Sequence, residues 1–362
     1  MSKSRWVLWS AAISLAGIAA VYSSLHWGDR SEGTREALPA AMPADASAVL
    51  FADFAELRPT RFAAELFQWA PRPAADAEYA QFLRDTGFDY ERDLDRAALA
   101  VIKHGQDTTF FAVADGRFDR KKIAAYALQS GTREIRGGRE ISSVPLTGSA
   151  AKISFVFLTD SRLALADGGD FANFLSPQTG ADANDWRDRF KRLAGSPVFA
   201  VVRRDAAAGS ALASRAPGGL QSPQLSALLD QLQWITAAGK PEGDTLRIVA
   251  EGECPTEQTA RQLADLLSGV VVLAQAGLNG PKTRQQLDPQ AREAYLEMLK
   301  GADVSRIDRG ETKSVRLVFD ITPRFLEAAK SAAHVVAPQT PETKVPPTQT
   351  RRPSSRKQKS TD

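Results

Sequence analysis

The chain has 362 residues, of which 43% are hydrophobic and 25% charged, with a formal net charge of +3. This is enough chain for two domains or one large one, with a proper core. The balance by itself implies no polyanionic partner, and the single cysteine, Cys254, rules out an intrachain disulfide.

The first feature is an apolar run. Residues from Trp6 to Trp27 include no Asp, Glu, Lys or Arg. As a helix this run is long enough to cross a hydrocarbon core of about 30 Å. Lys3 and Arg5 precede it, and Asp29, Arg30 and Glu32 follow. The positive flank therefore predicts a cytoplasmic N-terminus and an extracytoplasmic body. Trp6, Trp9, Tyr22 and Trp27 stand near the two ends, where amphipathic rings prefer the membrane interface. The expected unit is a signal anchor over residues 1–28. The competing reading is a signal peptide cut after small residues such as Val21 and Ser23. Residues 29–44, with Pro39 and Pro43, read as a flexible tether.

A first round of elements follows. A strand is expected over residues 48–54 and an amphipathic helix over 56–69, with Leu57, Phe62, Leu66 and Phe67 on one side. Another helix is expected over 78–86. Strands at 98–103 and 109–114 are joined by a turn at 105–107. Residues 116–129 form a helix capped by Asp119. Gly137–Gly138 is a two-residue hairpin signal between strands 132–136 and 139–144. A second hairpin is expected over 153–158 and 163–166, and a short helix over 170–175.

The second round opens with a strand at 197–203. A helix over 223–234 puts Leu225, Leu228, Leu229 and Leu232 on one face. A strand at 245–253 leads to a long helix over 255–277. Another helix covers 289–299, strands at 304–309 and 315–321 turn at Gly310, and a last helix runs over 322–333. The two rounds share an order of elements. They predict an α+β fold of two related lobes, 45–180 and 195–333, made mainly of antiparallel sheet with helices on one face. From residue 334 to 362 the composition becomes Pro-rich and basic. Lys344, Arg351, Arg352, Arg356, Lys357 and Lys359 oppose only Glu342 and Asp362. This segment reads as a disordered tail.

Reactive constellations are sparse. His26, His104 and His334 are the three histidines, and none falls in a motif. Cys254 lies on a strand and reads as a small buried hydrophobe rather than a thiol with a partnering base. Asp89, Glu91, Asp93 and Asp95 alternate, but Leu94 and Ala100 stand where a calcium loop needs Gly and Glu. They read as a solvated turn compensated by Arg92 and Arg96. Gly239–Lys240 has Trp234 and Pro241 where a phosphate loop needs Gly and Ser or Thr. The run Val270–Leu273 hints at membrane contact, but Arg261, Asp265 and Gln275 interrupt it, so a core helix is expected. No residue is assigned as catalytic, cofactor-binding or metal-binding, and no cofactor is expected.

The phrases PADASAVLFAD (43–53), TGFDYERDLDRAALAV (86–101), GRFDRKKIAAYALQ (116–129) and FDITPRFLEAA (319–329) resemble those of bacterial envelope proteins with an N-terminal signal anchor and a body of unassigned function. The resemblance spans residues 43–333. It implies an extracytoplasmic α+β body and brings no catalytic residues with it. The expectation is a non-catalytic, single-pass membrane protein with a binding or scaffolding role. Its partners are the membrane, through Trp6–Trp27, and an envelope protein or cell-wall polymer, not nucleic acid. The alternatives are an envelope hydrolase or transferase using dispersed carboxylates, and a soluble ligand-binding protein left by signal cleavage.

Overall fold

A computed structural model describes residues 37–69, 77–104, 107–145, 152–167, 181–203, 227, 229–310 and 312–328. The apolar run Trp6–Trp27, the helix expected at 170–175, His26, His334 and the tail lie outside the described residues.

The elements are α+β. In chain order they are β1 (Ala48–Asp53), α1 (Phe54–Leu57), α2 (Arg61–Trp69), α3 (Ala77–Thr86), α4 (Tyr90–Asp93), β2 (Leu94–His104), β3 (Asp107–Gly116) and α5 (Arg120–Ala127). β4 (Thr132–Arg136), β5 (Arg139–Pro145), β6 (Lys152–Phe157) and β7 (Arg162–Asp167) complete the first half. α6 (Ala181–Leu193), β8 (Val198–Arg203), β9 (Trp234–Glu242) and β10 (Thr245–Cys254) follow. α7 (Glu257–Asn279), α8 (Pro281–Gln286), α9 (Pro289–Lys300), β11 (Asp303–Arg309) and β12 (Thr312–Ile321) end the body, with a further helical segment at 323–328.

Local chemistry explains most of these boundaries. Asp53, Asp89, Asp119, Thr256 and Asp288 each accept a backbone N–H from the first turn of the helix they precede, which satisfies donors that have no partner in the helix. Gly137 and Gly138 both have positive φ, 57° and 75°, as a tight hairpin with a left-handed turn requires.

All twelve strands form one antiparallel sheet, in the order β11-β12-β10-β9-β8-β1-β2-β3-β7-β6-β5-β4. Its two halves meet at the β1–β8 pair, where Phe51 lies opposite Phe199 and their rings stack at 4.8 Å. Outward from β1 the sheet runs β1-β2-β3-β7-β6, and outward from β8 it runs β8-β9-β10-β12-β11. β5 and β4 extend the first run only. In both runs a helical excursion follows the third strand, and the chain re-enters beyond it.

Helices pack on both faces, which corrects the one-face expectation. Successive strand residues point to opposite faces. Val49, Phe51, Ala98, Phe111, Val113, Phe199 and Val201 share one face and one core with Trp186 and Phe190 of α6. On the other face, Ile123 and Ala127 of α5 cover Phe155, and Leu263 of α7 covers Cys254 and Val315. Helix α6 was not foreseen, because its two aromatics sit in a segment that is otherwise mostly charged. Trp234 begins strand β9 rather than ending a helix. β9 is built from small residues (Ala237, Ala238, Gly239) and lacks the branched alternation that announces a strand. The folded body also begins before residue 45. Leu38 and Met42 join the main core, at 1% and 4% exposure, around a short 3-10 turn at Pro39–Ala41.

Candidate functional site

Two charged rows cross the face of the sheet that α6 covers. In the first run, the register aligns Asp53, Arg96, Asp115 and Arg162 on four neighbouring strands. The row therefore alternates acid and base. Arg96 Nε donates to Asp53 at 3.0 Å, and Arg162 grips Asp115 with two bonds of 2.6 and 2.9 Å. Such forked pairs are among the stronger side-chain hydrogen bonds.

Beside this row lies the acidic stretch 89–95, and it is not a solvated turn. Asp93 is buried and accepts from Arg92 at 3.0 and 2.7 Å and from the Asp89 N–H at 3.0 Å. Burial pushes its carboxyl upward, but these bonds and the nearby Arg117 outweigh it and hold it below the usual range. Asp95 goes the other way. Burial raises it despite Arg117, Arg58 and Arg96. Arg58 is 2% exposed, donates to the Leu94 carbonyl at 2.6 Å and lies 3.9 Å from Asp95. Asp89, Asp93 and Asp95 are thus used by the fold. Among the described residues no group of three His, Cys, Asp or Glu is placed to hold a metal ion.

The second run aligns Arg203, Trp234, Glu253 and Ser314 at the matching positions. Because β1 and β8 are antiparallel, the two rows lie at opposite ends of the sheet. Here the acids are Glu251 and Glu253, both buried. Arg189 and Arg192 of α6 reach Glu253, and Arg192 also comes within 4.0 Å of Glu251. Arg309 of β11 grips Glu251 with both terminal nitrogens, and Arg316 of β12 lies 3.6 Å from it. Four guanidinium groups thus surround two carboxylates. Burial pushes Glu251 upward, but the hydrogen bonds and charge of Arg309, together with Arg192, hold it below the usual range. Arg189 also lies over the Trp234 ring, 3.9 Å from its centroid.

The same end of the body is tied to its start. The Ala44 carbonyl accepts from Trp186 Nε1 and from Arg203 Nη1, each at 3.2 Å. The pocket between this N-terminal turn and α6, lined by Met42, Ala183, Trp186 and Phe190 among others, has room of about 10 Å³, roughly one water molecule.

Cys254 is buried at the end of β10, and burial pushes its thiol up to about 11, which keeps it protonated near neutral pH. His104 is the last residue of β2. Gly239–Lys240 lies inside β9 rather than in a phosphate loop. The Glu251–Glu253 cluster went unread in the sequence because its arginines come from α6, β11 and β12. One signal was available: Val249, Glu251 and Glu253 share a strand face with apolar neighbours, so both charges point toward a core and require partners.

Among the described residues no helix is long and apolar enough to cross a membrane. Helix α7 departs from the expected core helix. One face of its first half is buried, through Thr259, Ala260, Leu263 and Ala264, but Val272 and Leu273 are 62% and 71% exposed.

No protein-family model and no curated protein matches the chain. Among solved structures, the chain is similar to crystal form IV of TP0453, with a TM-score of 0.43 and 10% identity over 81% of this chain and 96% of that one. Crystal form III of TP0453 gives a TM-score of 0.44, again at 10% identity, over 82% and 98%.

Proposed function

We propose that this chain is a single-pass membrane-anchored protein whose extracytoplasmic body has a non-catalytic, binding or scaffolding role in a bacterial cell envelope. The anchor is Trp6–Trp27, and the orientation follows from Lys3 and Arg5. The observation that carries the non-catalytic part is what the buried and half-buried carboxylates of the two rows do. Asp53, Asp93, Asp115, Glu251 and Glu253 each bind an arginine. A general acid or base needs a free proton site tuned near the working pH. Asp93 and Glu251 are instead held ionised. The rival reading, a hydrolase working through dispersed carboxylates, would need such groups released from their arginines, or would have to work through Asp95 or Asp167, whose carboxyls burial raises.

Crosslinking and co-purification of the full chain from a detergent extract test this role. The expected result is a reproducible envelope protein or cell-wall fragment bound at near-stoichiometric level. A monomer with no partner would contradict it.

We further infer that the two five-strand runs are copies of one unit. Their shared strand order supports this, as does the identical length of β1 and β8 (6 residues each) and of β3 and β10 (10 residues each). An experimental structure with a different pairing order in either half would remove the idea.

A further inference from the structure

The outward face of α7 changes character along its length. In the first half the exposed positions are Glu257, Gln258, Arg261, Gln262, Asp265 and Ser268, all polar. Two and three turns beyond Asp265 the same stripe presents Val272, Leu273 and Ala276, all exposed. The helix does not leave the body there by chance. Gln275 donates to the Leu299 carbonyl of α9 at 2.8 Å, so this half is held in place with its apolar side outward. No acidic residue occurs between Asp265 and Asp288, and Lys282 and Arg284 follow directly in α8.

We propose that the C-terminal half of α7 is a membrane-contact element, with Val272 and Leu273 dipping into the interfacial zone of an anionic bilayer and the exposed Arg284 of α8 meeting its headgroups. An apolar ridge beside basic residues is the composition of an interfacial helix. Size argues against a second protein copy as the occupant. Val272 and Leu273, 62% and 71% exposed, are two side chains, far short of the roughly 800 Å² per partner of a standard interface. A body tethered to a bilayer needs no such area, because the tether supplies a high effective concentration. The inference rests on the anchored reading and extends it, by naming lipid as a partner of the body itself.

The test labels Leu273→Cys in the full chain with an environment-sensitive fluorophore, and Gln262→Cys as the control on the polar half. Buried Cys254 stays unlabelled at neutral pH, which the unsubstituted chain verifies. The chain is reconstituted in vesicles with about 30% anionic lipid. The expected result is a blue-shifted label at 273, quenched at least about twofold by lipids brominated on their acyl chains and shielded from aqueous iodide, with the reverse at 262. Replacing Lys282 and Arg284 with Glu should return the 273 label to water. Equal iodide access at 273 and 262 overturns the proposal. So does concentration-dependent self-quenching at 273 that ignores brominated lipid, which would assign the ridge to a second copy. Alkaline carbonate extraction separates the two readings. A chain retained in the vesicles with 273 in water loses only this inference. A chain released by carbonate, with 273 quenched by lipid before the wash, loses only the anchor.

Discussion

Glu251 is where the chain makes its largest commitment of charge. Two of its oxygens serve three arginines from two strands and a helix, in a buried setting. Breaking one side of a buried ion pair leaves the other uncompensated, so Glu251→Gln should destabilise the fold by about 3–5 kcal/mol in urea unfolding. An unchanged midpoint would mean that the arginines are solvated. The pH dependence has a definite sign. Glu251 has a folded pKa below its unfolded value, so its contribution is present above the unfolded value of about 4.3 and is lost as pH falls through the folded one. Asp93 acts in the same direction. Asp95, raised by burial, opposes them, because it is more easily protonated in the folded state. Thermal melts across the acid range should therefore fall below about pH 4 in the wild type, and fall less in Glu251→Gln. At this scale the sequence was legible for caps and turns. Asp119 and Gly137–Gly138 announce themselves within a few residues. The arginine partners of Glu251 come from distant elements, and no local pattern encodes them.

Helix α6 shows why one class of element escaped. Trp186 and Phe190 are one turn apart and both buried, and the ring of Trp186 meets Trp234 edge-on at 4.9 Å. Most of the rest of the helix is charged. Two aromatics thus anchor an element that would look like linker on composition alone. Trp186→Ala should cost about 3–5 kcal/mol, as expected for a large buried aromatic. It should also loosen the N-terminal turn that its indole holds through Ala44, which hydrogen exchange at residues 37–46 would report as faster exchange. Protection unchanged there would separate the turn from α6. The opposite case is α7. Its apolar run Val270–Leu273 looked like core, because periodicity shows which face is apolar but not where the supporting sheet stops. The sheet covers Leu263 and leaves Leu273 in solvent.

At the scale of the molecule, pairing order could not be read from the sequence. Alternating strands and helices suggested two lobes, whereas β1 and β8 join everything into one sheet. That junction is apolar and central, so Phe51→Ala should lower global stability by about 3–5 kcal/mol in a single cooperative transition. Two separate transitions would show that the halves fold independently. The proposed anchor at Trp6–Trp27 would hold this sheet outside the membrane. The most direct measurement is the mass of the mature N-terminal peptide from fractionated bacterial cells, combined with protease access to the body from outside the inner membrane. The account predicts an intact N-terminal peptide spanning residues 1–28 in the membrane fraction, with the body cut only once the outer barrier is opened. A mature N-terminus at residue 24 or 25 in the soluble fraction would contradict the anchor.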